Sequence, residues 1–579
     1  MENSLSHYTQ VKNTQIVLSL LKQKGIKRVI VSPGTTNISV VVSMSNDPFF
    51  EMYSAPDERS AAYMACGMAA ETGEPVIISC TGATASRNYL PGLTEAFYRK
   101  LPIVALTSSL NIGMSGHLYP QFINRTSQPV DCVKCSVQIH PVLDGQSEWE
   151  CVMNVNKALL ELTRNGGGPV HINLMTQGNI GDFSVERLPD VRNIHRYTLS
   201  NSQWPKIPVG KIAIFIGSHM PMNTMLVTSI DNFCSKYNAV VFSDHTSSYN
   251  GSYKVQYPIA AAQALIGPNL DIDLLIHIGE VSGDYYTLGN LREHIKNVWR
   301  VNSDGEIRDY FRKLTAVFQS EEIDFFNHYS NDRTSSDNSY LMACREELDF
   351  IYSAIPDLPF SNIWIASQLY SKMPLGCAIH FGILNSLRAW NFFPLDKSIT
   401  GFSNVGGFGI DGPLSTLIGA SLMNPNKLYF GIVGDLAFFY DMNSLGNRYV
   451  GKNLRIMLVN NGKGTEFRNY SHPASKFGDV ADEFMAAGRH YGNKSKDLVR
   501  HYAEDLGFKY ITASSKADFE KVYPEYIAEH FEQSVIFEVF TDNEDESNAL
   551  KALRSIRVRS TADKVKGKIN KVLGKFFEK

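Results

Sequence analysis

The sequence predicts an α/β protein made of three doubly wound, parallel-sheet domains. Its 579 residues exceed what one hydrophobic core holds. Short apolar runs at 28–32, 76–80, 103–107, 211–216, 274–278 and 428–433 alternate with helix-like segments. Such alternation builds parallel sheets with helices on both faces. Composition is ordinary for a globular chain, with 44% hydrophobic and 20% charged residues. A net charge of −3 argues against bulk nucleic-acid binding. There is no run of 18 apolar residues to span a membrane. The first residues carry neither the basic nor the apolar region of a secretory signal, so a cytoplasmic protein is expected. Its 8 Cys then read as reduced thiols. Cys132 and Cys135 form a C-x-x-C with no second pair or nearby His, and read first as small buried hydrophobes.

The first domain covers 1–180 and closes on Val170-His171-Ile172-Asn173-Leu174, which follows a glycine-rich turn. A polar stretch at 177–208 reads as a linker to a central domain at 190–340. In that domain Ile214-Phe215-Ile216-Gly217-Ser218-His219 lacks a strong dinucleotide fingerprint, so no FAD is expected. Residues 320–360 show little periodicity and read as a second linker. The third domain spans 360–545 and resembles the first in its glycine-rich strand ends. A basic tail at 546–579 remains. Within it Val565, Ile569, Val572, Leu573, Phe576 and Phe577 recur at helical spacing among lysines. This reads as a helix docked on the protein's own surface or on its twin in an oligomer. The alternative is an amphipathic helix lying on the anionic inner face of a membrane through residues 556–579.

The segment richest in chemistry lies in the third domain. An apolar strand ends on Gly434-Asp435, a helix-like segment follows, and a second apolar strand ends on Asn460-Asn461-Gly462. Right-handed crossovers bring both ends to the carboxyl edge of a parallel sheet, where α/β proteins bind ligands. A carboxylate, an amide oxygen and a turn carbonyl are hard ligands suited to Mg²⁺ at a diphosphate. The plainer alternative is a strand end capped by Asp with an ordinary Asn-Gly turn. Three pieces of the first domain accompany it: Val29-Ile30-Val31-Ser32-Pro33-Gly34, Asp57-Glu58-Arg59-Ser60-Ala61, and Cys80-Thr81-Gly82-Ala83-Thr84-Ala85. Taken singly, acids and serines at helix starts are ordinary caps.

In this order the segments resemble the thiamine diphosphate (ThDP)-dependent enzymes. Within them the resemblance is to the menaquinone-pathway synthases that join 2-oxoglutarate to isochorismate, and it extends to about residue 545. It implies that Asp435, the Asn461 side chain and the Lys463 carbonyl hold Mg²⁺. Glu58 would hydrogen-bond a ring nitrogen of the cofactor, Gln121 would lie near it, and Ile410 would be the apolar wedge that bends it. Ser32, Pro33, Gly34, Thr81, Gly82, Asn385, Ser386, Asn404, Gly406, Gly407, Gly434, Leu436, Asn460 and Phe467 would line its pocket. In this family the glutamate and the diphosphate site come from different subunits, which implies a homodimer or homotetramer.

The chain departs from that family where anionic substrates are held. Family arginines fall here on Thr36, on Leu110, at or near Trp390 and on Val405, and a Gly-Lys-Arg becomes Gly283-Asp284-Tyr285. Bidentate pairing with carboxylates is why such sites use arginine. A family apolar residue becomes Glu466, readable as a proton donor or as an ion-pair partner of Arg468 or Lys463. His117 and His472 are further proton-transfer candidates, each weighed against a structural role. The expected function is ThDP- and Mg²⁺-dependent decarboxylation of a 2-oxo acid, with carboligation to a carbonyl or enoate acceptor. The alternatives are the menaquinone-pathway reaction itself, a simple decarboxylase, and a non-catalytic protein of this fold.

Overall fold

A computed structural model describes residues 7–176, 181–200, 203–283, 285–330, 337–490, 495–530, 532–558 and 560. The chain forms two compact units. The first holds the residues up to Tyr197 with Glu306–Arg308 and Thr315–Val317; the second holds Thr198–Gly305, Asp309–Leu314 and the chain from Phe318 on.

The first unit carries a six-stranded sheet: β1 Arg28–Val31, β2 Glu51–Ser54, β3 Val76–Cys80, β4 Ile103–Ser109, β5 Cys135–Ile139 and β6 Val170–Met175. The order is β2-β1-β3-β4-β6-β5 and every pairing is parallel. Strands β3, β4 and β6 are buried along their length, which is why they read as unbroken apolar runs. Helix Glu58–Thr72 begins where the Asp57 carboxylate accepts the Arg59 and Ser60 N–H groups, and it ends at left-handed Gly73. Its small buried face of Ala61, Ala62, Ala65, Cys66 and Ala69 packs on helix Leu90–Arg99. A Cβ at Gly92 would stand 2.4 Å from the Ala62 Cβ, so the approach requires glycine there. Cys132 is buried in this core and Cys135 lies on β5. β7 His195–Thr198 follows.

The second unit contains β8 Ile212–Ile216, β9 Val240–Ser243, β10 Lys254–Gln256, β11 Leu274–Ile278, β12 Val298–Asn302 and β13 Leu314–Gln319. The order β10-β9-β8-β11-β12 is parallel. A further six-stranded sheet follows: β14 Ala378–Phe381, β15 Thr400–Ser403, β16 Tyr429–Gly434, β17 Leu454–Asn460, β18 Lys509–Ala513 and β19 Val535–Phe540. Its order, β15-β14-β16-β17-β19-β18, repeats the winding of the first sheet strand for strand, all parallel. The α/β architecture expected from the alternating runs is borne out.

Residues 320–360 differ from the linker reading. They hold helices Glu322–Ser330 and Ser339–Ser353, which bury Phe325, Phe326 and Tyr329, and Tyr340, Leu341, Cys344, Leu348 and Ile351. A single narrow apolar stripe among Ser, Asn and Glu suffices once a sheet is there to receive it. The stretch 177–208 is likewise more than a linker, since it includes β7 and a bridge from Val185 to Tyr8. Residue 546 does not open a tail: it lies inside helix Asn543–Arg554, capped by Asp542, with Ala549, Leu550 and Leu553 buried. The apolar stripe from Val565 to Phe577 lies outside the described residues. Among the described residues no helix is long and apolar enough to cross a membrane.

Candidate active site

β16 and β17 are parallel neighbours with Gly434 opposite Val459, so their carboxyl ends open at one edge. Asp435 leaves β16 as the first residue of helix Asp435–Asp441 and is 5% exposed. Its carboxylate accepts the Leu436 N–H at 2.7 Å, and also faces the backbone N–H groups of Gly462, Lys463 and Asn461. Burial pushes this carboxyl up to about 6 against the pull of those N–H groups. Just past β17, the Asn461 Oδ1 is buried and accepts no hydrogen bond among the described residues. The Lys463 ammonium turns away to Asp482 at 2.7 Å. A buried carboxylate beside a partnerless amide oxygen and a turn carbonyl is a set of hard donors that fits Mg²⁺.

One cavity brings together Asp435, Asn461 and Lys463 with Gly434, Leu436, Asn385, Ser386, Ile410 and Phe467. Leu384 borders it at φ 64°, ψ −119°, a backbone region unusual for any residue but glycine. Asn460 points elsewhere: its amide donates to Glu538 at 2.7 Å inside the sheet. Asn404 donates to the Gly412 carbonyl and the Thr416 hydroxyl, holding its own loop. Gly406 and Gly407 have open space around their Cα atoms. His472 caps a short 3₁₀ helix, its Nδ1 accepting the Ala474 N–H at 3.1 Å, with its ring edge-on to Phe467.

The remaining predicted residues belong to the first unit. Glu58 is half-buried at its helix start and accepts the Asn88 amide at 3.3 Å. Ser32 and Gly34 follow β1, and a Cβ at Gly34 would meet the Thr81 side chain at 2.2 Å, so Pro33-Gly34 and Thr81 pack directly. Gln121 stands at φ 70° in the loop 110–125 and shares a cavity with Gly82. His117 lies exposed in that loop.

Glu466 pairs with neither Arg468 nor Lys463, both of which face Asp482. Its partner is Arg388, in a two-pronged contact at 2.9 and 3.3 Å. The two side chains are each 8% exposed. Asn385 accepts from Arg388 at 3.1 Å and Asn469 donates to Glu466 at 3.0 Å. Arg388 comes from helix Asn385–Asn391 and Glu466 from the turn after β17. Nothing local in the sequence joins the two residues, which stand 78 positions apart.

Glu546 also borders this cavity, and nothing local in the sequence marks it. It accepts from the Asn362 N–H at 3.0 Å and the Thr541 hydroxyl at 2.8 Å, and burial pushes it up to about 7. The folded state therefore keeps a proton that the unfolded chain releases near 4.5, the ordinary value. Stability contributed by this group is lost as pH rises between those two values. Glu546→Gln keeps the accepting oxygen and removes the titration. Metal-free denaturation curves should lie closer together across that window for the variant, with a gain of up to about 3 kcal/mol above it. An unchanged pH slope would mean that Glu546 does not titrate there.

Residues 11–128 match the thiamine pyrophosphate enzyme family, N-terminal TPP binding domain. The relatives below extend this likeness to ThDP-dependent enzymes over most of the chain. It is 28% identical over 564 residues to the 2-succinyl-5-enolpyruvyl-6-hydroxy-3-cyclohexene-1-carboxylate synthase of Bacteroides fragilis, covering 94% of this chain and 98% of that protein. With the synthase of the same name from Phocaeicola vulgatus it shares 29% over 564 residues, at the same coverage. A solved structure, the Rhodococcus jostii RHA1 thiamine diphosphate-dependent 4-hydroxybenzoylformate decarboxylase, aligns at 16% identity with a TM-score of 0.40, over 92% of this chain and 99% of that one.

Proposed function

We propose that the protein holds ThDP through Mg²⁺, decarboxylates a 2-oxo acid and transfers the remaining acyl fragment to an acceptor. The observation that carries this is the buried Asp435 carboxylate beside the partnerless Asn461 oxygen at the carboxyl edge of a parallel sheet. Asp435, Asn461 and the Lys463 carbonyl would hold the metal, and Ile410, Leu436 and Phe467 would wall the cofactor with apolar surface. When bound, ThDP supplies the electron sink that lets a 2-oxo acid lose CO₂. Glu58 would hold a proton against the cofactor's pyrimidine ring. In this reading the protein is a homodimer or homotetramer whose sites combine residues of two subunits.

Two readings of the substrates stand. The positions of Thr36, Leu110 and Val405 favour a donor or acceptor different from those of the related synthases, since an arginine lost from a carboxylate site leaves the anion unpaired. Similarity over 94% of the chain favours the reaction named for those relatives. A panel of 2-oxo acids assayed for CO₂ release with ThDP and Mg²⁺ tests the first step. Release should be seen with at least one acid and should fall by about 10²-fold or more in Glu58→Gln. Full activity in that variant, or no release from any acid with ThDP bound, would sink the proposal. Turnover of 2-oxoglutarate with isochorismate would establish the second reading.

A further inference from the structure

Glu546 stands in the first turn of helix Asn543–Arg554, 7% exposed, and borders the cavity that holds Asp435 and Asn461. Both hydrogen bonds that it accepts, from the Asn362 N–H and the Thr541 hydroxyl, fall on one oxygen, Oε1. Among the described residues Oε2 has no partner. Asn362 lines the same cavity, and its Oδ1 is buried and accepts no hydrogen bond among the described residues. One contact fixes where this end of the cavity lies. The Thr465 hydroxyl donates toward the Lys463 carbonyl and the Asn543 side-chain oxygen, each at 3.4 Å. The start of the helix is thereby tied to the turn that would hold the metal.

A helix cap accounts for Oε1, since the Asn362 N–H opens helix Asn362–Leu369. It does not account for Oε2, nor for an acid placed where a diphosphate would lie. Two acceptor oxygens at one end of a cavity repel a phosphate oxygen unless one of them carries hydrogen. Of these two, only the Glu546 carboxyl can carry it. Burial is the main reason that it holds its proton up to about 7, and Asp545 and Asp542 on its own helix push the same way. Asp435 and Glu466 are the other acids of the lining. The nearby cations are turned elsewhere: Lys463 and Arg468 to Asp482, Arg388 to Glu466, and Lys551 and Arg554 to the Tyr470 ring. Helix Asn362–Leu369 carries no ionisable side chain.

We infer that Glu546 binds the cofactor's diphosphate as a neutral acid, its Oε2–H donating to a terminal phosphate oxygen. This deepens the proposed function and rests on it for the identity of the ligand. The proton comes from solvent and stays on Glu546; no bond to phosphorus forms or breaks. Where the free protein still holds this proton, ThDP binds without proton exchange at Glu546. At higher pH the carboxylate must take up a proton as the phosphate arrives, and affinity falls.

The test is calorimetric titration of the full-length protein with ThDP in the presence of Mg²⁺, in two buffers of different ionisation heat, from about pH 6 to about pH 8.5. The parent's affinity should fall across the upper part of this range by roughly 10-fold or more, and at about pH 8 binding should take up close to one proton per site. Asp435 is already ionised there in the free protein, so the uptake is not its own. Glu546→Gln keeps a hydrogen-bond donor and cannot titrate. It should match the parent at about pH 6, hold that affinity to about pH 8.5 and take up no proton. A helix cap alone predicts no uptake and one pH profile for both proteins. If Glu546→Gln does not fold, the proton count of the parent decides. Binding without uptake at about pH 8, or a variant that retains the uptake or the slope, would overturn the inference and leave the cofactor reading standing. No binding of ThDP by the parent at about pH 6 would overturn both.

Discussion

Asp435→Asn should lose ThDP binding in the presence of Mg²⁺, with affinity falling at least about 100-fold, while the metal-free protein keeps its stability. Asparagine preserves the shape of the side chain and an oxygen for the Leu436 N–H, so the turn after β16 can still close. What it removes is the negative charge. Without metal that charge is a liability, since burial already pushes the carboxyl up to about 6. The variant should therefore be as stable as the parent, or more so, at alkaline pH, where the parent's carboxylate is ionised and buried. A purely structural cap predicts the reverse pattern, lost stability with cofactor binding intact. Calorimetric titration of ThDP with Mg²⁺, read beside denaturation of the metal-free protein, separates the two. Undiminished binding would remove the metal reading.

The Arg388–Glu466 pair carries the second large effect. Removing either partner leaves a charge buried without its counter-ion, and such losses cost about 3–5 kcal/mol. Glu466→Ile and Arg388→Met should each be strongly destabilising. The double variant should recover most of the loss, because replacing both members of a buried pair by apolar groups of similar volume is near neutral. Denaturation midpoints of the parent, the two single variants and the double variant measure this as a cycle. A Glu466→Ile protein as stable as the parent would show that the contact is incidental. The pair also explains how a charged Glu466 is tolerated beside the cavity. Its charge is answered from helix Asn385–Asn391 rather than by the adjacent Lys463 or Arg468.

Much of the fold was legible because its strands are buried on both faces. β3, β4, β8, β11 and β17 are continuous apolar runs that need no partner to be recognised. The Asp57 cap and the strand end at Gly434-Asp435 are equally local, each set by the backbone groups of the next turn. The helices within 320–360 were not legible. Their apolar stripes are narrow, and only the surface that receives them distinguishes such a stripe from a polar loop.

The sequence by itself determined the class of the fold, the edge at which β16 and β17 present an acid and an amide, and the likeness to ThDP enzymes. These follow from periodicity and from motifs whose residues sit next to one another in the chain. Only the tertiary structure decided which of two adjacent asparagines turns to the cavity. That depends on the side of β17 each residue takes and on Glu538 waiting in β19 for Asn460. Only the fold paired Glu466 with Arg388 and brought Glu546 from a late helix to the same cavity. Charges act through space, and their partners lie many residues away along the chain. Burial sets the strength of each contact, and burial is a property of the packed molecule.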